Sequence, residues 1–187
     1  TVDAGIIETL KSLKPFAAVS RDGLPPLENV YVKVSDNRVT LRATNRYVLA
    51  SIEGETLTGK GEITGCLTHE DVGHIAACLE DHSTSILTIS EHGIGHFGQI
   101  FATWLKDPGY PDTDRIIPQQ FDDVVVNESL LLSGGDLAKL AQIRFPYERP
   151  SDAKRARWLL KAASGKKPTV WTREFLGWEA LVLIAQR

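Results

Sequence analysis

The sequence predicts an α+β protein made of repeated units, each a helix followed by several antiparallel strands. Three observations carry this. Short runs of apolar residues at helical spacing alternate with strand-like runs bounded by turn residues. The cycle of one helix and several strands recurs at an interval of roughly 60 residues. Within each cycle the strands follow one another directly, which points to antiparallel pairing rather than a βαβ crossover.

In the first cycle, Ile6, Ile7, Leu10 and Leu13 recur at helical spacing within Ala4–Leu13, and Pro15 ends the run, so a short helix is expected there. Strand-like runs follow at Phe16–Ser20, Val30–Val34, Arg38–Ala43 and Tyr47–Ile52. Turn signals separate them: Asp22-Gly23, Pro25-Pro26, Asp36-Asn37 and Thr44-Asn45. The alternation around Ser35-Asp36-Asn37 predicts a hairpin.

The second cycle opens with a strand at Glu62–Leu67. Thr68 then fits an N-cap, with Asp71 three residues on as an acidic variant of the capping box. A helix over Glu70–Leu79 leads into strands Ser85–Ser90, Gly95–Phe97 and Ile100–Leu105, closed by a proline-bearing connector ending at Pro118. The third cycle is expected to hold a strand at Asp123–Val126, a helix at Gly135–Ile143 and a basic loop at Pro146–Arg155. Strands Ala156–Ala162, Thr169–Arg173 and Trp178–Ile184 complete it.

With 42% hydrophobic and 24% charged residues, the chain has ordinary globular composition and ample material for a core. No apolar run approaches membrane-spanning length and Thr1–Lys14 reads as amphipathic, so neither a span nor a signal peptide is expected. Two cysteines, Cys66 and Cys78, make no disulfide framework, and a reduced, cytoplasmic setting is the expectation. The net charge is −3, unevenly spread. Residues 1–129 hold 10 Lys and Arg against 19 Asp and Glu, whereas 130–187 hold 11 against 5. This asymmetry suggests segments with different partners, or simply solvated faces of different charge.

No catalytic constellation stands out. The Gly165-Lys-Lys run lacks the glycine spacing of a phosphate loop, and there is no GxSxG elbow. Cys66-x2-His69-x4-His74-x3-Cys78 superficially suggests zinc. The four residues between its two pairs are far fewer than the roughly dozen of a zinc finger, so no metal or other cofactor is expected. Cys78 fits better as packing on the helix face with Ile75 and Leu79, while His92 and His96 flank a glycine-rich hairpin.

Three stretches carry a family likeness. Phe16-Ala-Ala-Val-Ser-Arg-Asp with Leu27-Glu-Asn-Val, then Leu41-Arg-Ala-Thr-Asn-Arg-Tyr-Val-Leu-Ala50, resemble "FA.S.D…LNGV" and "L.ATDG.RLA" of the bacterial DNA polymerase III beta sliding clamp's middle domain. Trp104 to Pro118 resembles that domain's closing "L..G.FPDYRRV.P". The looser likeness of Asn127–Phe145 and of Ala180–Arg187 is to the clamp's last domain, which ends near "V.MPMR". The resemblance therefore implies the DNA-clamp (processivity) fold, with a complete domain over 1–118 and an abbreviated second one over 119–187. It also suggests a phage or mobile-element homologue.

It further implies a binding protein, not an enzyme: a DNA-replication processivity factor whose interdomain cleft captures peptides of a DNA polymerase, clamp loader or recombinase. Position by position, the cleft wall would be Leu27, Thr44, Arg46, Leu49, Pro111, Arg115 and Ile116, completed by Val182 and Ile184. Arg46 stands where the family usually has glycine. Double-stranded DNA, encircled by a homo-oligomeric ring, would meet Lys11, Lys14, Lys139, Arg144, Arg149, Lys154, Arg155 and Arg157. The acidic second helix (Glu70, Asp71, Glu80, Asp81) and Pro25-Pro26, where the family has DNA-touching aromatics, argue against that contact. The alternative is a clamp-derived adaptor, or a decoy acting on recombination or the replisome, that forms no ring.

Overall fold

A computed structural model describes residues 1–59, 61–80, 86–105, 108–118, 133–162 and 168–185. In chain order the regular elements are β1 (Val2–Asp3), α1 (Ile6–Ser12), β2 (Val30–Ser35), β3 (Arg38–Thr44), β4 (Val48–Glu55), β5 (Ile63–Leu67) and α2 (His69–Glu80). There follow β6 (Ile86–Ser90), β7 (Gly93–His96), β8 (Gln99–Thr103), α3 (Gly134–Leu140), α4 (Pro150–Arg155), β9 (Leu159–Ala162), β10 (Thr169–Phe175) and β11 (Trp178–Ile184). The class is α+β with antiparallel sheets, as expected.

Local chemistry explains several joints. The β2–β3 hairpin turns on Asp36 and Asn37, whose φ values of 49° and 64° make the two-residue turn that matches strand twist. At the start of α2, the Asp71 amide donates to Thr68 Oγ1 (3.0 Å) and the Thr68 amide donates to Asp71 Oδ2 (2.9 Å), a reciprocal cap as predicted.

Two expectations fail locally. Phe16–Ser20 is not a strand: Pro15 fixes a helical φ, and 3₁₀ turns form at Lys14–Phe16 and Ser20–Asp22, burying the Phe16 ring. The expected loop Pro146–Arg155 ends in a helix because Pro150 occupies its first position, where the missing N–H is harmless. The predicted strand Asp123–Val126 lies outside the described residues.

The described residues form two sheets, one ordered β1-β6-β7-β8 and a longer one ordered β5-β2-β3-β4-β11-β10-β9. The long sheet joins the first and third cycles where β4 pairs with β11, placing Leu49 opposite Leu183, Ala50 opposite Val182 and Val48 opposite Ile184. Its inner face supplies Val32, Leu41, Ile52, Ala180, Val182 and Ile184 to the main core. That core also takes Ile6 and Leu10 of α1, Val72 and Ile75 of α2, Leu87 and Ile94 of the short sheet, and Ile143 and Phe145 after α3. One core thus runs across residue 118. Gly54 on β4 is required at this face, since a Cβ there would lie 2.4 Å from the Trp178 ring.

A buried ion pair anchors the third cycle. Arg173 on β10 pairs with Glu148, donates to the Ile143 carbonyl (3.4 Å) and lies 5.0 Å from the centroid of the Phe145 ring. Glu148 also accepts from the Phe145 amide (3.2 Å). The loop from 143 to 148 is thereby fixed to the sheet.

Candidate functional site

The outer face of the long sheet is crossed by residues 108–118. Tyr110 stacks on Tyr31 of β2, with ring centroids 5.1 Å apart. Further along, Arg42 of β3, its side chain buried, binds Thr113 Oγ1 (3.0 Å), Asp114 (2.6 Å) and Ser51 Oγ (3.1 Å). Asp112 caps the 3₁₀ turn Thr113–Ile116 by accepting from the Asp114 amide. These contacts set Ile117 and Pro118 beside the β4–β11 seam. A cleft of about 240 Å³ results, lined by Arg42, Ser51, Glu53, Asp114, Ile117, Pro118, Glu179 and Leu181. Next to it, Leu49, Val170 and Leu183 form a small apolar cluster, with Ile117 and Leu181 packed against it.

The expected wall is only partly assembled. Leu49 and Thr44 share the outer face through the pair Thr44–Leu49. Thr44 is buried, donating to the Val48 carbonyl (2.9 Å) and accepting from the Arg46 amide (3.2 Å). Val182 and Ile184 are corrected: both are fully buried in the main core, while on the outer face Leu181 lines the cleft and Leu183 packs in the cluster beside it. The cause is strand parity, since a one-residue offset moves every side chain to the other face. A similar offset affects the crossing segment. Ile116 is 57% exposed and Arg115 turns outward to pair with Asp112 (2.9 Å), while Ile117 packs inward. Pro111 is exposed, and Leu27 is buried on a 3₁₀ turn, outside the cleft lining. Arg46 is exposed in the turn before β4 with φ of 79°, the left-handed region that favours glycine.

Of the candidate DNA-facing cations, four are engaged by carboxylates. Lys11 and Arg144 both reach Glu8 (3.1 and 3.4 Å), Lys139 reaches Asp136 (3.4 Å) and Arg149 reaches Asp152 (3.5 Å). The shared Glu8 places the segment after α3 beside α1, a neighbourhood also marked by Tyr147 donating to Asp3. Lys14, Lys154, Arg155 and Arg157 are exposed.

Burial pushes several titrating groups toward their neutral forms, whereas the Glu62 carboxylate beside Lys33 favours that residue's charged form. The Cys66 thiol rises to about 12, the Tyr110 hydroxyl rises and the His69 ring falls. Such groups behave as packed side chains. Cys78 Sγ instead contacts His74 Nε2 at 3.6 Å along α2. Among the described residues, no group of three or more His, Cys, Asp or Glu side chains is placed to hold a metal ion, and no helix is long and apolar enough to cross a membrane.

The whole chain superposes on solved sliding clamps at low sequence identity. It is similar to the DNA polymerase III beta subunit of Thermotoga maritima (TM-score 0.67, 13% identity, 100% of this chain and 65% of that one). Comparable likenesses link it to the DNA polymerase beta subunit of Streptococcus pyogenes (TM-score 0.65, 12% identity, covering 100% and 64%) and to the sliding clamp of Pseudomonas aeruginosa (TM-score 0.63, 12% identity, covering 100% and 65%). The chain has the DNA sliding-clamp fold. It spans just under two thirds of the length of these clamps. No family profile matches its sequence, and no curated protein matches it.

Proposed function

We propose that this chain is a clamp-fold binding protein of DNA replication or recombination, not an enzyme, and that it captures short peptides of a polymerase, clamp loader or recombinase in the outer-face cleft. The observation that carries the proposal is the cleft itself, an opening where β4 meets β11 in which Ile117, Pro118 and Leu181 form an apolar wall among charged and polar side chains. At about 240 Å³ it is smaller than the roughly 300–1,000 Å³ of sites that enclose a drug-sized ligand, and suits one anchoring Leu- or Phe-sized side chain. Peptide main chain alongside, with side chains alternating into and out of the cleft, is the matching recognition mode. Labelled peptides bearing a Leu-Phe anchor should bind by fluorescence anisotropy, and Leu181→Lys, at a part-exposed residue of the cleft wall, should abolish that binding while leaving the fold intact. Undiminished binding by the variant would remove the cleft from the proposal.

The domain division at residue 118, DNA encirclement and ring closure belong to the same proposal. Exposed Lys14, Lys154, Arg155 and Arg157 would meet phosphates without reading sequence. Among the described residues, β8 ends the short sheet and β9 the long one, and these edges would offer seams for a homo-oligomer. The carboxylate pairing of Lys11, Arg144, Lys139 and Arg149 favours the second reading, a peptide-binding adaptor without a ring. Light scattering together with retention on nicked circular DNA separates the two. A monomer that is not retained supports the adaptor.

A further inference from the structure

Beside the cleft lies a second opening of about 310 Å³, lined by Arg38, Glu174, Phe175, Leu176, Gly177, Trp178 and Glu179. Glu179 lines both openings. Across the three strands beneath it, Glu53, Glu179 and Glu174 stand directly opposite one another, with Glu53 paired to Glu179 and Glu179 to Glu174. Like charges in directly opposed positions destabilise a sheet. Among the described residues Arg38 pairs with Glu53 (3.3 Å), and Asp114 is already taken by Arg42. Beyond the carboxylates, Leu176 is 77% exposed at a turn where its φ is 47°. An aliphatic residue in that conformation is unusual, and here it forms the apolar far wall of the second opening.

From this groove we infer the class of peptide it takes, an inference that rests on the cleft reading above: an extended peptide with an aliphatic or aromatic anchor and an Arg or Lys two positions away. The spacing comes from the sheet. Leu181 and Glu179 are two residues apart on β11, about 6.8 Å in an extended strand, and an extended peptide repeats its side chains at the same interval. With the anchor against Leu181 and Ile117, the cationic side chain stands over Glu179 between Glu53 and Glu174. There it offsets the repulsion along the row, and its aliphatic stem lies against Leu176.

The test uses three labelled peptides with the same Leu-Phe anchor and Arg, Ala or Glu two positions from it, titrated by fluorescence anisotropy against the full chain at low and high salt. The Arg peptide should bind about ten-fold more tightly than the Glu peptide, with Ala between them. High salt should narrow the gap, since the lip is exposed. Glu179→Lys should remove or reverse the preference for Arg over Glu. Equal affinities of the three peptides, all lost in Leu181→Lys, would overturn the charge preference and leave the cleft standing. No binding of any peptide would overturn both. A preference for Arg that survives Glu179→Lys would assign the charge reading elsewhere and sink the inference.

Discussion

The parity of β11 makes the sharpest prediction, because adjacent residues should respond oppositely to one substitution. Ile184 is fully buried in the main core and Leu183, 5% exposed, lies in the small cluster beside the cleft. A lysine at 183 forfeits apolar burial of roughly 1.5–3 kcal/mol, but its ammonium can extend along the cleft into water. A lysine at 184 forfeits a similar amount and has no route out, so the desolvation of its charge adds several kcal/mol. We expect Leu183→Lys to lower Tm by about 4–10 °C, at roughly 2–4 °C per kcal/mol for a chain of this size. Ile184→Lys should lower it by at least about 10–20 °C, or prevent folding, because its cost approaches the whole of a typical stability of about 5–15 kcal/mol. Circular-dichroism melts of the purified variants read the difference. If Ile184→Lys proved the milder of the two, the pairing of Leu183 with Leu49 would be wrong by one residue and the cleft built on it would fall.

Arg46→Gly should raise stability by about 1 kcal/mol in a denaturant melt, relieving the left-handed backbone at φ 79°; no gain would mean that the arginine side chain is held by contacts outweighing the strain. Gly54→Ala should cost about 1–3 kcal/mol by pressing a methyl onto the Trp178 ring, seen as a lower midpoint at unchanged slope. Arg173→Met alone should destabilise by about 3–5 kcal/mol, leaving Glu148 buried and unpaired, while adding Glu148→Leu should restore much of the loss; a double variant as poor as the single one would refute an ion-pair origin. For pH, His69 has a lowered folded-state pKa, so the unfolded chain binds more protons below about 6.5 and stability should fall as pH drops through that range. Cys66 is raised to about 12, so the unfolded chain ionises first and stability should fall between pH 9 and about 12. His69→Gln and Cys66→Ala should each flatten its own limb of the stability–pH curve, and an unchanged limb would exclude that residue as the source.

Residue chemistry that acts over a few positions was readable directly. Asp36-Asn37 announced a hairpin because both side chains tolerate positive φ, and Thr68 with Asp71 announced a cap because each completes the other's hydrogen bond. The helix-plus-strands recurrence was legible too, since apolar periodicity registers which side of an element is buried. Phe16–Ser20 misled because an apolar run looks strand-like wherever it is buried, and Pro15 tipped the backbone into 3₁₀ turns.

The cleft was decided by the tertiary structure. The run Leu181-Val182-Leu183-Ile184 is apolar at every position, so it has no alternation to tell one face from the other. Only the pairing of β11 with β4 assigned Val182 and Ile184 to the core and Leu181 and Leu183 to the outer face. Likewise Ile116 and Ile117 are chemically equivalent in sequence, and the hold of Arg42 on Thr113 and Asp114 chose which of them packs inward. The sequence by itself determined that strands, helices and turns of a clamp-like pattern would form, because those depend on neighbours a few residues away. Which side chains meet at the cleft depended on contacts between strands far apart in the chain, and a one-residue choice there exchanges floor for core.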